Sequence, residues 1–411
     1  MLVYNLVLKL YVFAIRIASL WLPKARLWVD GRKDIFARLG EAISPEDRII
    51  WIHVASLGEF EQGRPIIEKI KREHSEYKIL LTFFSPSGYE IRKGYEGADY
   101  IFYLPIDTSR NARRFLDITH PEIAIFVKYE FWLNILGELK KRGAKSYIVS
   151  SIFRRNSIFF KPYGGKWRKI LSTFETIFVQ DEASKELLNE LGQREVVVAG
   201  DSRFDRVAEI AKNAKRVEII ELFKGDRQLM VVGSSWGADE EILIPLMAEN
   251  PNYKFIIAPH EINKERISSL MESLSKLNAV KYSESTIGQT DLASAQVLVL
   301  DTMGMLSSIY AYGETAYIGG GFGVGIHNTL EAATFGLPIA FGTNYQKFKE
   351  ARDMIAIGAC YSVCNLNELR AWFAPLRDNA EHRTKVSALA RSYTASMFGA
   401  TDIIVETIFK G

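Results

Sequence analysis

The segment ETAYIGGGFGVGIHNTLEAATFGLPIAF, Glu314 to Phe341, reads as strand, glycine-rich turn, helix, proline and strand. Gly319, Gly320, Gly321 and Gly323 precede the helix and Gly325 stands just ahead of it, so the backbone is free to take positive φ and bring bare N–H groups close to an anion. Asn328 is placed as the helix cap, with Glu331 three residues on. In its ordinary structural role Glu331 closes a capping box onto the Asn328 backbone; in a functional one its carboxylate accepts from ribose hydroxyls. The spacing G-x-G-x-x-G of dinucleotide folds is absent. The segment therefore points to the floor of a nucleotide-phosphate site on an α/β sheet.

The flanking sequence has the same grain. Short β-rich runs alternate with amphipathic helical stretches from residue 48 onward: IIWIHV (49–54), KILLTF (78–83), YIFYLP (100–105), EIAIFV (122–127), KSYIVS (145–150), TIFVQ (176–180) and EVVVAG (195–200). After a charged helix near 208–223 a second series follows: QLMVVGS, YKFIIAP, AQVLVLD, ETAYIGG, LPIAFG and a weak GACYSV. Such alternation predicts parallel strands joined by crossover helices, hence two doubly wound α/β units in tandem. A chain of 411 residues is long enough for two cores. The net charge of +3 makes any basic feature local and does not suggest a nucleic-acid partner. Cys360 and Cys364 have neither metal-binding nor redox spacing and are expected to pack as small hydrophobes.

Residues 1–22 are apolar but carry Asn5, Lys9, Arg16 and Ser19. At about 100° per residue these four fall within roughly 80° of one another, which predicts a helix with one polar stripe and a broad apolar face lying in a membrane interface, or dipping through it. Lys24, Arg26, Arg32 and Lys33 follow, placing the bulk of the protein on the cytoplasmic side.

In open α/β sheets ligands sit beyond the carboxyl ends of the strands. There the first unit presents Glu59, behind the small-residue loop Ala55–Gly58, then Ser85 and Ser87, and then Glu130 in KYEFW. Two loop carboxylates on one sheet edge suit a base and an orienting or acceptor-binding group. Next, Arg154, Arg155, Lys161, Lys166, Arg168 and Lys169 alternate with Phe153, Phe159, Phe160, Tyr163 and Trp167. That pattern fits a phosphorylated lipid, single-stranded nucleic acid or a merely solvated loop, and the amphipathic helix favours the lipid. The second unit presents Ser234 and Ser235, Pro259 and His260, and Met303 and Gly304. No group of residues has metal-ligand spacing, so a donor phosphate must be met by N–H groups and cations such as Arg203.

Together HVASLGE (53–59), FFSPSG (83–88), KYEFW (128–132), AGDSRFD (199–205), GSSWGADEE (233–241), APHE (258–261), DTMGML (301–306), and GGGF with HNTLEAA (327–333) resemble the 3-deoxy-D-manno-octulosonic acid (Kdo) transferases of lipopolysaccharide synthesis. The resemblance spans nearly the whole chain. It departs where the family has an arginine between Pro259 and His260, a lysine at Arg203 and a proline at Ala332. It implies a GT-B glycosyltransferase fold, two Rossmann-like domains facing across a cleft. It also implies an inverting transfer of Kdo from CMP-Kdo to a lipid A precursor at the cytoplasmic face of the inner membrane, without metal or cofactor. On that reading Glu59 is the base, and Glu130, Ser85, Ser87, Arg154 and Arg155 orient acceptor or sugar. The donor nucleotide meets Arg203, Ser234, Ser235, Pro259, His260, Met303, Gly304, Gly320, Gly321, Asn328 and Glu331. The expected organisation is a membrane-associating helix over 1–22, an acceptor domain over 23–205, a CMP-sugar domain over 206–390, and a C-terminal helix in 391–411 packing back on the first domain. A GT-B enzyme using a UDP-sugar and a non-catalytic lipid-surface protein are the competing readings.

Overall fold

The computed structural model describes residues 2–286 and 290–410, so Met1 of the N-terminal segment and Gly411 of the last lie outside the described residues. The chain divides into two compact units: Met1–Arg206 with Gly399–Gly411, and Val207–Phe398.

The first unit is built on a seven-stranded parallel sheet in the order β3-β2-β1-β4-β5-β6-β7. Its strands are β1 (Ile49–Val54), β2 (Lys78–Phe83), β3 (Tyr100–Tyr103), β4 (Ile123–Val127), β5 (Lys145–Ser151), β6 (Thr176–Val179) and β7 (Val196–Val198). Both faces are covered, which is why the strands read as continuous apolar runs. Ile50, Ile52 and Val54 join one core with Leu81 and Ile125, while Ile49 and Trp51 join the opposite core with Leu80 and Phe126. Strand order reverses between β1 and β4, which pair in register from Ile50↔Ile123 to His53↔Phe126. The loops leaving these two strands therefore flank the crevice where such sheets hold ligands.

The second unit carries another seven-stranded parallel sheet, ordered β10-β11-β9-β8-β12-β13-β14. The strands are β8 (Leu229–Ser235), β9 (Lys254–Pro259), β10 (Ala279–Lys281), β11 (Val297–Val299), β12 (Thr315–Ile318), β13 (Ile339–Phe341) and β14 (Cys360–Ser362). Here the switch lies between β8 and β12, so the Ser234–Trp236 turn and the glycine-rich turn are neighbours. Strand β10 has no counterpart in the sequence reading. It is a half-buried edge strand of three residues, too short to show a period. Cys360 is buried as expected, but Cys364 is exposed. It sits in the turn before the helix Leu366–Asp378, where Glu368 folds back to accept its N–H at 2.9 Å.

The N-terminal helix Leu2–Ala18 docks on the first unit through one stripe. Tyr4 donates to the buried Asp107 at 2.7 Å, Asn5 accepts from Asn134 at 3.0 Å, and Tyr11 stacks on Phe84 with centroids 6.3 Å apart. The other stripe, with Val3, Leu6, Leu10 and Phe13, is exposed. No helix among the described residues is long and apolar enough to cross a membrane.

The last helix, Ala400–Lys410, packs on Leu57–Glu73 in the first unit, burying Ile404, Val405 and Ile408. Asp205 fastens its start by accepting the N–H groups of Gly399 and Thr401, each at 2.6 Å.

Candidate active site

Strand β1 ends in a turn that leads directly into the helix Leu57–Glu73. Glu59, in the first turn of that helix, folds back so that the Ala55 N–H donates to its Oε2 at 2.5 Å. Burial, and then the negative charge of Glu130, push its carboxyl up to about 7; the N–H groups of Ala55 and Ser56 and the Lys128 ammonium only partly oppose this. A carboxyl with this ionisation is poised to take a proton at neutral pH.

Glu130 leaves the end of β4 and is 8% exposed. Its Oε2 accepts from His53 Nε2 at 2.9 Å and from the Trp132 indole at 2.7 Å. His53, wholly buried on β1, presents Nδ1 to Thr82 Oγ1 at 2.8 Å, and that hydroxyl also accepts the Trp51 indole N–H at 2.8 Å. Since a carboxylate only accepts, His53 carries a proton on Nε2. This network was missed in the sequence reading, although a histidine and a threonine in the otherwise apolar runs IIWIHV and KILLTF were its signal. Lys128 holds positive φ, 65°, between β4 and Glu130.

Ser85 and Ser87 lie at the end of β2, their hydroxyls 2.9 Å apart, with Ser85 capping the next helix. The Ser85 N–H donates to Ala55 O at 2.7 Å, which joins this loop to the Glu59 turn. Arg154 is exposed and lies in the field of the Tyr129 hydroxyl, which also feels Glu59. Arg155 forms an exposed ion pair with Glu190. The basic-aromatic alternation around them is only partly a surface feature. Phe153 and Phe159 are buried against Phe131, and Arg168 donates to the carbonyls of Phe159 and Lys161, each at 2.9 Å. An apolar residue next to a cation in sequence need not share its face, and here the rings complete a core. Arg203 belongs to the first unit, where its guanidinium and backbone N–H bind Asp201, which also takes Gln62 at 3.2 Å.

In the second unit, Ser234 takes positive φ, 54°, at the end of β8. Ser235 is buried and donates to Glu240 at 2.7 Å, so its side chain holds the turn. Gly320 also has positive φ, 91°, and a Cβ on Gly321 would stand 2.5 Å from the Gly342 backbone. Only glycine fits these two positions. Asp239 ties the two turns together by accepting the N–H groups of Trp236 and Gly320, each at 2.9 Å. The rings of Trp236, His260 and His327 form a stack, with centroids 4.5 and 4.4 Å apart. Trp236 Nε1 donates to His327 Nε2 at 3.2 Å, and burial, with the neighbouring His260, lowers the His327 imidazole to about 4. That stack places Pro259 and His260 beside Ser234, Ser235 and the glycine turn. Asn328 gives its side-chain amide to Glu331 at 2.9 Å and accepts the Leu330 N–H at 3.1 Å. Met303 stands exposed on the loop after β11, followed by Gly304 at φ 87°.

Each unit thus carries its own strand-end cluster, carboxylate-centred in the first and glycine-lined in the second, and likeness to known proteins narrows the family. Residues 33–206 match the family described as 3-deoxy-D-manno-octulosonic-acid transferase (kdotransferase). These residues are thus similar to the Kdo transferases. Across 78% of its length the chain is 28% identical to the 3-deoxy-D-manno-octulosonic acid transferase of Aquifex aeolicus, covering 83% of that protein. It is 25% identical over 79% of its length to a bifunctional glycosyltransferase/methyltransferase of Fusobacterium nucleatum, spanning about half, 52%, of that longer relative. In fold, 89% of the chain matches all of the UDP-GlcNAc 2-epimerase of Neisseria meningitidis, with a TM-score of 0.62 at 14% identity. With two parallel seven-stranded sheets of Rossmann type, this Kdo-transferase relative has the GT-B fold.

Proposed function

We propose that the chain transfers Kdo from CMP-Kdo to a phosphorylated lipid A precursor, working at the cytoplasmic face of the inner membrane. The observation that carries this reading is Glu59, a carboxyl moved up to about 7 at the switch point of the family-matched domain. Glu59 takes the proton from an acceptor hydroxyl, whose oxygen attacks the anomeric carbon of the sugar. The bond from that carbon to the phosphate oxygen breaks and CMP leaves with the electron pair. With the Gly319 and Gly320 N–H groups held by Gly233 O and Asp239, charge growing on the phosphate is met by the Gly321 N–H and by cations, with no metal or cofactor required. Asn328 and Glu331 hold the nucleoside, and Ser234 faces the phosphate. On the acceptor side Ser85, Ser87 and Arg154 meet the phosphorylated sugar, while the exposed apolar stripe of the first helix lies in the bilayer interface.

Incubation with CMP-Kdo generated in situ and a bisphosphorylated tetra-acyl precursor, followed by mass spectrometry, tests the reading. A mass gain of one or more Kdo residues is expected. Absence of any gain, with thermal protection by UDP but not CMP, would assign the chain to UDP-sugar chemistry instead.

A further inference from the structure

Between the first helix and the end of β2, the first unit carries a groove of about 550 Å³. Its lining is almost wholly apolar: Tyr11, Ile15, Leu22, Trp28, Phe84 and Pro86. The rings brace one another, Tyr11 edge-on to Trp28 at 6.0 Å and Trp28 edge-on to Phe84 at 5.7 Å. Behind them the half-buried Arg32 guanidinium sits 4.0 Å over Trp28 and 5.0 Å from Phe84, and it donates to the carbonyls of Leu104, Trp28 and Phe84. The groove is therefore a built feature with fixed walls, since a guanidinium bonded to three carbonyls and flanked by rings has little freedom to move.

Three features identify its occupant. A polypeptide segment laid in so apolar a channel would bury N–H and C=O groups without partners, whereas a hydrocarbon chain brings none. Leu22 and the exposed Lys24 line the groove, and Leu20 and Trp21 beside them in sequence are, like Leu22, more than half exposed, so an apolar surface leads up to it. Ser85 also lines it, and the Ser85 N–H bonds Ala55 O, the residue whose own N–H holds Glu59. A chain seated here brings the head it carries to the Glu59 turn.

We propose that this groove seats one acyl chain of the lipid acceptor, an assignment that rests on Glu59 serving an acceptor hydroxyl. The groove thereby measures acyl length and sets the acceptor sugar over the base.

The test compares acceptors of graded acyl length, and a fully deacylated phosphorylated disaccharide, on wild type and on Ala18→Trp, which fills the groove. In wild type each methylene removed should raise the acceptor KM about fourfold, the equivalent of ~0.8 kcal/mol per buried methylene. In Ala18→Trp that dependence should vanish and the KM for the long-chain acceptor should rise at least about tenfold, with donor KM and the rate on the deacylated acceptor unchanged. Equal use of acylated and deacylated acceptors by wild type overturns the groove and leaves the transfer reaction standing. A second measurement needs no turnover: an acceptor analogue with a diazirine at one chain end is photolysed on the wild-type protein and the labelled peptides are mapped. Labelling within residues 11–28 and 84–86, displaced by unlabelled acceptor, supports the groove even if no transfer is seen, in which case the reaction reading falls alone. Labelling elsewhere, or displacement equally by phosphatidylglycerol vesicles, overturns it.

Discussion

His53 donates its Nε2–H to Glu130 at 2.9 Å, on the same carboxylate oxygen that takes the Trp132 indole N–H at 2.7 Å. Two carboxylates thus meet at one switch point in unlike surroundings. Glu130 is clamped by buried ring donors from β1 and its own loop, while Glu59 is held by backbone N–H groups and lies within the field of Glu130. Environments that treat a pair of acids so differently divide their labour.

Replacing Glu59 by Gln should lower kcat by about 10²- to 10⁴-fold while CMP affinity stays within about twofold, because the amide keeps the shape and loses the base. The same variant should report on stability. A carboxyl whose folded-state ionisation is raised costs stability once the pH exceeds its unfolded value, and the cost is complete above about 7. Glu59→Gln should therefore raise Tm relative to wild type more at pH 8 than at pH 5.

The rate should climb with pH and level off above an apparent pKa near 7. Glu130→Gln should move that midpoint down, since the Glu130 charge is the second cause of the Glu59 shift. A midpoint that stays in place when Glu130 is neutralised would show that the pair is uncoupled. A pH–rate profile of both proteins at saturating donor decides it.

Gly321→Ala and Gly323→Ala should differ sharply. The first puts a methyl 2.5 Å from the Gly342 backbone; the second meets only Gly320 O at 3.9 Å. A loss of about 1–3 kcal/mol is expected for Gly321→Ala, with weakened CMP binding, and near-neutral behaviour for Gly323→Ala. Calorimetry of the two variants with and without CMP provides the comparison.

Asn328→Ala removes both the contact to Glu331 and the acceptor for the Leu330 N–H. It should weaken CMP binding about tenfold and cost about 1 kcal/mol of stability. Glu331→Ala should reproduce the affinity loss with less destabilisation, because the Leu330 N–H keeps its partner. Unchanged CMP affinity in both would leave them a purely structural pair.

The first helix has two faces with separable effects. Changing Leu6, Leu10 and Phe13, exposed at 58%, 60% and 63%, to Ser should shift the protein from liposomes to solution with little change in Tm. Tyr4→Phe should leave membrane residence alone and cost about 1–2 kcal/mol, because the buried Asp107 loses a donor. Flotation and thermal melts distinguish the two.

The sheets were legible in the sequence because buried parallel strands are apolar on both faces, and every run read as a strand contains one. The carboxylates and glycines were legible because they follow those strands directly. The His53 clamp was not, since its partners Thr82, Glu130 and Trp132 come from separate parts of the chain and meet only through strand register. The roles of Phe153 and Phe159 were hidden for the opposite reason. Cations lie close to them in sequence, but in space they share a core with Phe131 and Phe174.

The helix Ala400–Lys410 completes the core of a unit that otherwise ends at residue 206. On a ribosome, the first domain therefore emerges with its helix Leu57–Glu73 uncovered, and that surface waits while all of the second domain is made. Ile66, Ile67 and Ile70 remain without their final neighbours Ile404, Val405 and Ile408 through that interval. The second domain is thus an insertion in the first as far as synthesis is concerned. The N-terminal domain closes last, and a chain stopped short of residue 400 would present an apolar helix face to chaperones and proteases.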